Sequence, residues 1–398
     1  MNFLTPALSS LVALFIYVAP ISAAEPSNTQ IPDMNKSLSY LVSKHQENLG
    51  LVGLGAMIMQ DGEILASAVA GERKHRSGVL LTDKDKWHIG SITKSFTATM
   101  IARLVERGEL TWDTTIGEVY PDAKGISEGW HQVTIEQLLT HTSGASNDFS
   151  PTFAYLFRRP AEGPARMAAR EGLILKFLKD EPEAPAGSRF FYSNTGVLIA
   201  GTMAEKITGI PWEQLIRNEI FIPLDIHSAG LGSPQDQESP LEQPRGHKSF
   251  LGFIVSVDND ANLPILAPAG GIHISLADLL VYANDHLQGE SGQGKLLKRE
   301  TYLRLHTPIL ESYAYGWIVN PHTDWADGTV IWHNGSNGTW YAHLAILPNS
   351  NTIIAITSND IRGYGYGELT EPILEGVANL LEAGELSKDE QASMQVMQ

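Results

Sequence analysis

The chain has no cysteine in its 398 residues. It can therefore form no disulfide, bind no zinc through thiolates and use no thiolate nucleophile. Basic residues are scarce as well: 28 Lys and Arg stand against 45 Asp and Glu, for a formal net charge of −17. That balance lacks the basic footprint needed to neutralise phosphates, and nucleic acid is excluded as a partner. Also missing are an H-E-x-x-H helix, a G-x-x-x-x-G-K-[ST] loop and a G-x-G-x-x-G turn. No metal and no cofactor are expected.

Long apolar runs are equally rare, and the one candidate lies at the N-terminus. An apolar stretch from Leu8 to Val18 precedes Pro20 and the small residues Ser22, Ala23 and Ala24, the pattern of a cleavable export signal ending at Ala24. Its n-region carries no Lys or Arg, and a short apolar run can also be an anchor that is never removed, but the apolar core falls well short of the roughly 20 residues that span a bilayer, which favours cleavage. The expectation is a signal peptide over 1–24, a mature chain over 25–398 exported to the periplasm or beyond, and no stable membrane span after cleavage.

With 43% hydrophobic residues the chain can bury a large core. Apolar spacing at Leu38, Leu41 and Val42 predicts a helix from about Met34 to Asn48. Leu51 to Gln60 and Glu63 to Ala70 read as strands joined by the hairpin dipeptide Asp61-Gly62. A helix is expected from near Ser91 to Glu106, ending before Gly108. From 110 to 310 the pattern reads as helices and Pro/Gly-punctuated loops, with helices at Ile135–Leu139, Arg166–Leu178, Gly196–Thr208, Pro211–Ile220 and Leu276–Leu287. Strand periodicity returns after Ala314, at Gly316–Val319, Val330–Trp332, Tyr341–Leu347 and Thr352–Thr357, before a last helix near Leu369–Leu381. This predicts an α+β fold: an antiparallel sheet assembled from both chain ends (33–110 and 311–385), with a mostly helical insertion over about 111–310 and any active site at their junction.

Three short segments carry chemistry. In Ser91-Ile92-Thr93-Lys94, spacing at a helix start sets Lys94 on the same face as Ser91, and the helix N-terminus favours negative charge developing beside the hydroxyl. Taken alone, the pattern also describes an N-capping serine and a solvated lysine. A lysine acts as a base near neutral pH only if burial or a nearby cation depresses its pKa. Tyr192-Ser193-Asn194 offers a phenol that releases its proton more readily beside an ammonium, and Asn194 a side-chain amide for a substrate; each is also a common structural residue. His333-Asn334-Gly335-Ser336 ends an apolar strand. An edge strand there could align an extended substrate, Gly335 permits close backbone approach, and the N–H groups of Ser336 and Ser91 could form an oxyanion hole. In isolation the same four residues are simply a hairpin turn. Ser91 lies in no G-x-S-x-G elbow, which argues against an α/β-hydrolase.

Together with Leu138-Leu139-Thr140-His141-Thr142-Ser143-Gly144 and Pro268-Ala269-Gly270-Gly271, these segments resemble the serine β-lactamase and penicillin-binding family, in particular its branch of class C β-lactamases, D,D-carboxypeptidases and D-aminopeptidases. The resemblance covers roughly Lys36 to Leu381. It implies that Ser91 is the nucleophile, that Lys94 and Tyr192 share the proton transfers, and that His333, Asn334 and Gly335 stand at the family's K-T-G position. The departure is His333, where class C β-lactamases carry lysine. A histidine can be neutral at neutral pH, so recognition of a substrate carboxylate is less assured and peptidase gains over β-lactamase. His141 reads as a hydrogen-bonded loop residue, and Arg158, Arg159 and Arg245 as surface residues or carboxylate anchors. The expected activity is acyl transfer from a small peptide, β-lactam or ester substrate to water. Amide bonds in D-residue-containing or otherwise unusual peptides lead; a carboxylesterase, a class C-like β-lactamase, and a penicillin-binding sensor or scaffold remain as alternatives.

Overall fold

The computed structural model describes residues 33–146, 162–234, 241–257, 264–363 and 369–382. The N-terminal apolar segment and the expected cleavage site after Ala24 lie outside these residues. Among those described, no helix is long and apolar enough to cross a membrane.

Helix α1, Met34–Asn48, starts where the Asp33 side chain accepts the amide N–H of Lys36, and it buries Leu38 and Val42, one turn apart. Strands β1 (Gly53–Gln60) and β2 (Glu63–Gly71) follow. They turn through Asp61 and Gly62 at φ 53° and 81°, the left-handed backbone that a two-residue primed hairpin requires. After the short strand β3 (Lys86–His88) comes helix α2 (Thr93–Glu106), buried on nearly every side; Phe96 stacks on Tyr282 with centroids 3.6 Å apart.

The C-terminal strands are β8 (Ile318–Thr323), β9 (Gly328–Ser336), β10 (Tyr341–Leu347) and β11 (Thr352–Ser358). They join the N-terminal hairpin in one antiparallel sheet of order β2-β1-β11-β10-β9-β8. The join between chain ends is β1 on β11, in register from Leu54↔Ser358 to Gln60↔Thr352. Every residue of β10 and β11 is buried, because both faces of the sheet are covered. Ile354 and Ile356 pack with Leu38, Val42, Ile373 and Val377 of α1 and the last helix (371–382), while Ile353 and Ala355 face the core around α2. The expected two-ended antiparallel sheet is the observed one.

The middle of the chain holds helices α3 (Ile135–Leu139), α4 (Pro164–Phe177), α5 (Asn194–Thr208) and α6 (Leu276–Glu290). It also contains strands that the reading as helices and loops did not include. Strands β4 (Gly230–Leu231) and β7 (Ile272–Ser275) make a small sheet with β3, in the order β3-β7-β4, and β5 (Gly246–Phe250) pairs with β6 (Phe253–Val257). Two to four residues are too few to reveal a period of two, and Trp87↔Ile274 is a pairing across almost two hundred residues. The β5–β6 turn runs through Leu251 and Gly252, both at positive φ, without the Asn-Gly or Asp-Gly signature of such hairpins.

Candidate active site

Ser91 sits in a tight 3₁₀ turn, Gly90–Ile92, that leads into α2, so the nucleophile candidate precedes the α-helix rather than opening it. The turn lies directly against the end of β9. A Cβ on Gly335 would fall 2.1 Å from the carbonyl oxygen of Ile89 and 2.5 Å from the nitrogen of Ser91; one on Gly90 (φ 50°) would fall 2.3 Å from the nitrogen of Ser336. Only glycine fits at both positions, and their contact gathers the amides of Ser91 and Ser336 around one gap. Strand β9 is not the sheet's edge, since β8 lies outside it, yet its ladder with β8 stops at Ile318↔Trp332 while that with β10 continues to Tyr341↔Ser336. Residues 333–336 therefore run past β8 into a cleft.

That cleft, of ≈ 410 Å³, is lined by Ser91, Tyr192, His333, Asn334, Gly335 and Ser336 among others. Lys94 lies beneath it, 1% exposed. Its Nζ is 2.8 Å from Ser91 Oγ, 2.7 Å from Asn194 Oδ1 and 2.8 Å from the carbonyl oxygen of Ala269. Asn194 is the first residue of α5, two positions earlier than the apolar spacing suggested, because Ser193 caps the helix by accepting the N–H of Gly196. Ala269 belongs to a single helical turn, Ala267–Gly270, packed so closely on α5 that a Cβ on Gly201 would lie 2.8 Å from Pro268. The Pro268–Gly271 segment thus supplies a carbonyl acceptor to the lysine beside Ser91.

Burial holds the Lys94 pKa well below its usual value. A neutral amine there gives its two N–H groups to Asn194 and Ala269 and turns its lone pair to the Ser91 hydroxyl, the arrangement of a base. The Lys94 Nζ also stands 4.9 Å from the centre of the Tyr192 ring.

His333 is 2% exposed, with Nδ1 donating to its neighbour's Asn334 carbonyl and Nε2 3.2 Å from the Tyr313 hydroxyl. Burial first, and the nearby Lys94 second, push its pKa down to about 3. The Tyr313 phenol is pushed well up by burial, so it remains a donor to Nε2. His333 is accordingly neutral at ordinary pH and offers no fixed positive charge to a substrate.

His141 is the hydrogen-bonded loop residue expected, its Nδ1 accepting the N–H of Ser193 at 3.2 Å, and it is buried against two of the cleft's aromatic rings. Its ring lies 4.5 Å from those of both Tyr192 and Tyr313. Burial, then Lys94 and His333, hold it neutral. Tyr313 and Phe190 line the cleft and were not singled out in the sequence: a lone tyrosine in a loop and a phenylalanine before Tyr192 carry no spacing signal. Arg245 does not line the cleft, and Arg158 and Arg159 lie outside the described residues. Among the described residues, no three His, Asp or Glu side chains converge as a metal would require.

The beta-lactamase family model matches residues 38–372. Penicillin-binding protein 4 of Amycolatopsis lactamdurans is 28% identical over 330 residues, covering 77% of this chain and 80% of that protein. The octameric penicillin-binding protein homologue from Pyrococcus abyssi has a TM-score of 0.71 at 24% identity, covering 88% of this chain and 78% of that one. The D-amino acid amidase from Ochrobactrum anthropi SV3 has a TM-score of 0.67 at 21% identity, with 89% and 99% covered. At these identities the structural likeness establishes the fold, whereas the family match runs across most of the sequence. The chain belongs to the beta-lactamase family and is a serine hydrolase with a β-lactamase/transpeptidase-like fold.

Proposed function

We propose that the chain is an exported peptidase of the branch of class C β-lactamases, D,D-carboxypeptidases and D-aminopeptidases, cleaving amide bonds in D-residue-containing or otherwise unusual peptides through an ester on Ser91. The observation that carries this reading is the 2.8 Å contact with Ser91 Oγ of a buried Lys94 Nζ that pairs with no carboxylate among the described residues. Ser91 Oγ attacks the scissile carbonyl carbon while its proton passes to the Lys94–Tyr192 pair. The N–H groups of Ser91 and Ser336 take the negative charge of the tetrahedral intermediate. The C–N bond then breaks and the pair returns the proton to the leaving amine. Water attacks the ester, gives one proton to the same pair, and Ser91 recovers it as the carboxylic product leaves. Asn194, Asn334 and the free edge of β9 orient the substrate.

The substrate class is supported by the neutral His333, which does not favour an anionic β-lactam carboxylate as a lysine would, and by the likeness to a D-amino acid amidase. A carboxylesterase is the second reading, favoured by the apolar walls that Phe190, Tyr313 and Ile318 contribute to the cleft. Against an inert scaffold stand the filled positions of Lys94 and Tyr192, which a sensor acylated without turnover would equally use. Export rests on the apolar segment Leu8–Val18 and the small residues before Glu25.

The test is steady-state hydrolysis by the mature protein and its Ser91→Ala variant on a D-Ala-D-Ala peptide, D-aminoacyl amides, a chromogenic cephalosporin and p-nitrophenyl esters. Ser91-dependent turnover dominated by amides supports the proposal. Dominance of esters or of the cephalosporin moves the protein to the corresponding alternative, and stoichiometric penicillin labelling without turnover makes it a sensor.

A further inference from the structure

The charges around the cleft are unbalanced. Its described lining contains one carboxylate, Glu311, and no Lys or Arg. The two groups that could have supplied a positive charge do not: His333 is held neutral with a pKa near 3, and Lys94 is buried beneath the floor with Ser91, Asn194 and Ala269 as partners. Glu311 makes no hydrogen bond or ion pair among the described residues, and it is exposed to the cleft.

Its position is held by the backbone. Glu311 occupies the tip of a tight turn from Leu310 to Tyr313, at φ 54°, a left-handed conformation that costs a residue with a Cβ. The turn is closed by Ile309 N–H to the Tyr313 carbonyl at 3.2 Å and tied to β8 by Val319 N–H to the Ser312 carbonyl at 2.8 Å. The same cleft is lined by three aromatic rings, those of Phe190, Tyr192 and Tyr313. Tyr313 has its centroid 5.5 Å from that of Phe190 and 6.1 Å from that of Tyr192. A carboxylate in such a lining attracts a cation and repels an anion, and an aromatic ring adds to that attraction where it presents its face.

We infer that the cleft selects substrates whose acyl part carries a free ammonium group, as the N-terminal residue of a peptide or an amino-acid amide does, with Glu311 as the ammonium's counter-charge. This rests on the proposed reading of Ser91 as the acylated residue, and it narrows that reading from peptidases in general to those acting at a free amino end. A carboxypeptidase, whose substrate brings a carboxylate, would place like charges together in a cleft whose described lining holds no compensating cation. The chain's net charge of −17 acts in the same sense on approaching ligands.

The experiment is competition against p-nitrophenyl acetate turnover by the purified full-length mature protein, using D-phenylalaninamide and N-acetyl-D-phenylalaninamide, which differ in the ammonium. An exposed ion pair and a partly exposed cation–π contact together predict that the free amine competes at an about tenfold lower concentration. In Glu311→Gln the two compounds should compete within about twofold of each other, and Glu311→Asp should recover part of the preference; thermal melting of each variant verifies folding. Equal competition in the wild type, absence of competition by the free amine, or a preference that survives Glu311→Gln in a folded protein overturns the inference. Turnover that persists in Ser91→Ala, or no turnover at all, instead overturns the underlying assignment of Ser91, so the two failures are separate results.

Discussion

Lys94 Nζ lies 2.8 Å from Ser91 Oγ, and both of its other hydrogen-bond partners, Asn194 Oδ1 and the Ala269 carbonyl, are uncharged. A lysine buried without a counter-ion is costly as a cation and therefore disposed to be an amine.

Replacing that amine by a side chain of similar volume should remove the proton acceptor and leave the core filled. Lys94→Met is expected to lower kcat/KM by about 10²- to 10⁴-fold on whichever substrate the wild type prefers. On the proposed mechanism the wild-type kcat/KM should rise with pH and level off well below the ordinary lysine range, because only the neutral Lys94 amine can accept the proton and burial lowers the Lys94 pKa. A limb still rising at pH 10.5 would contradict this.

Backbone contact between the Ser91 turn and β9 leads to a second expectation. Gly335→Ala puts a methyl 2.1 Å from the Ile89 carbonyl oxygen and 2.5 Å from the Ser91 nitrogen, both backbone atoms. It should lower the melting temperature and abolish turnover together. Gly338→Ala, where nothing lies within 4 Å and only the φ of 87° is unfavourable, is the comparison and should keep most activity.

Acid should destabilise the fold through its buried histidines. Burial pushes His88 and His333 down to about 3, and His273 and His343 down to about 4. In the unfolded chain each titrates near its ordinary value of 6.5, so below that pH the unfolded state takes up protons that the folded state refuses. The stability of unfolding therefore falls as pH drops from about 6.5 toward 4 and 3, by more than one proton per molecule. Urea unfolding at pH 7.0, 5.5 and 4.5 measures it, and a flat profile would refute it. Protonation of His88 Nδ1 also breaks its bond from the Gly90 N–H at 3.2 Å, which steadies the Ser91 turn.

A buried chain of hydrogen bonds reaches the same turn from the far side of α2. Glu290 meets His306, His306 meets His286 at 3.0 Å, and His286 meets Thr99 at 3.0 Å. Thr99 and the Tyr282 hydroxyl are 3.0 Å apart; Tyr282 donates to Ser95 Oγ at 3.1 Å, and Ser95 to the Ile92 carbonyl at 2.8 Å. Tyr282→Phe keeps the ring stacked on Phe96 but leaves Ser95 and Thr99 short of a partner, and should cost about 1–3 kcal/mol in urea unfolding. No measurable loss would mean that the chain is not a stabilising unit.

How much of this was legible beforehand differs from one element to the next. Helices such as α1 and α6, and the β1–β2 hairpin, follow from local periodicity and turn chemistry, which the chain carries within a dozen residues. Sheets made of two- to four-residue strands, such as β3-β7-β4, are invisible to such rules because tertiary pairing, not propensity, makes them. The same divide runs through the site. Ser91, Lys94, Tyr192, Asn194 and the 333–336 segment were marked by motif spacing; Tyr313, Phe190 and Glu311 enter the cleft from sequence that has no pattern.

The sequence by itself determined the family, the two-ended antiparallel sheet and the residue types available for acyl transfer, because periodicity and motif spacing are local properties that survive in a linear chain. Only the tertiary structure decided that Lys94 is buried with Ser91, Asn194 and the Ala269 carbonyl as its described partners, that His333 is neutral and that Glu311 is the one charge described on the cleft wall. Burial, dielectric and the company of distant side chains set the charge state of a group, and none of these exists until residues hundreds of positions apart are packed together.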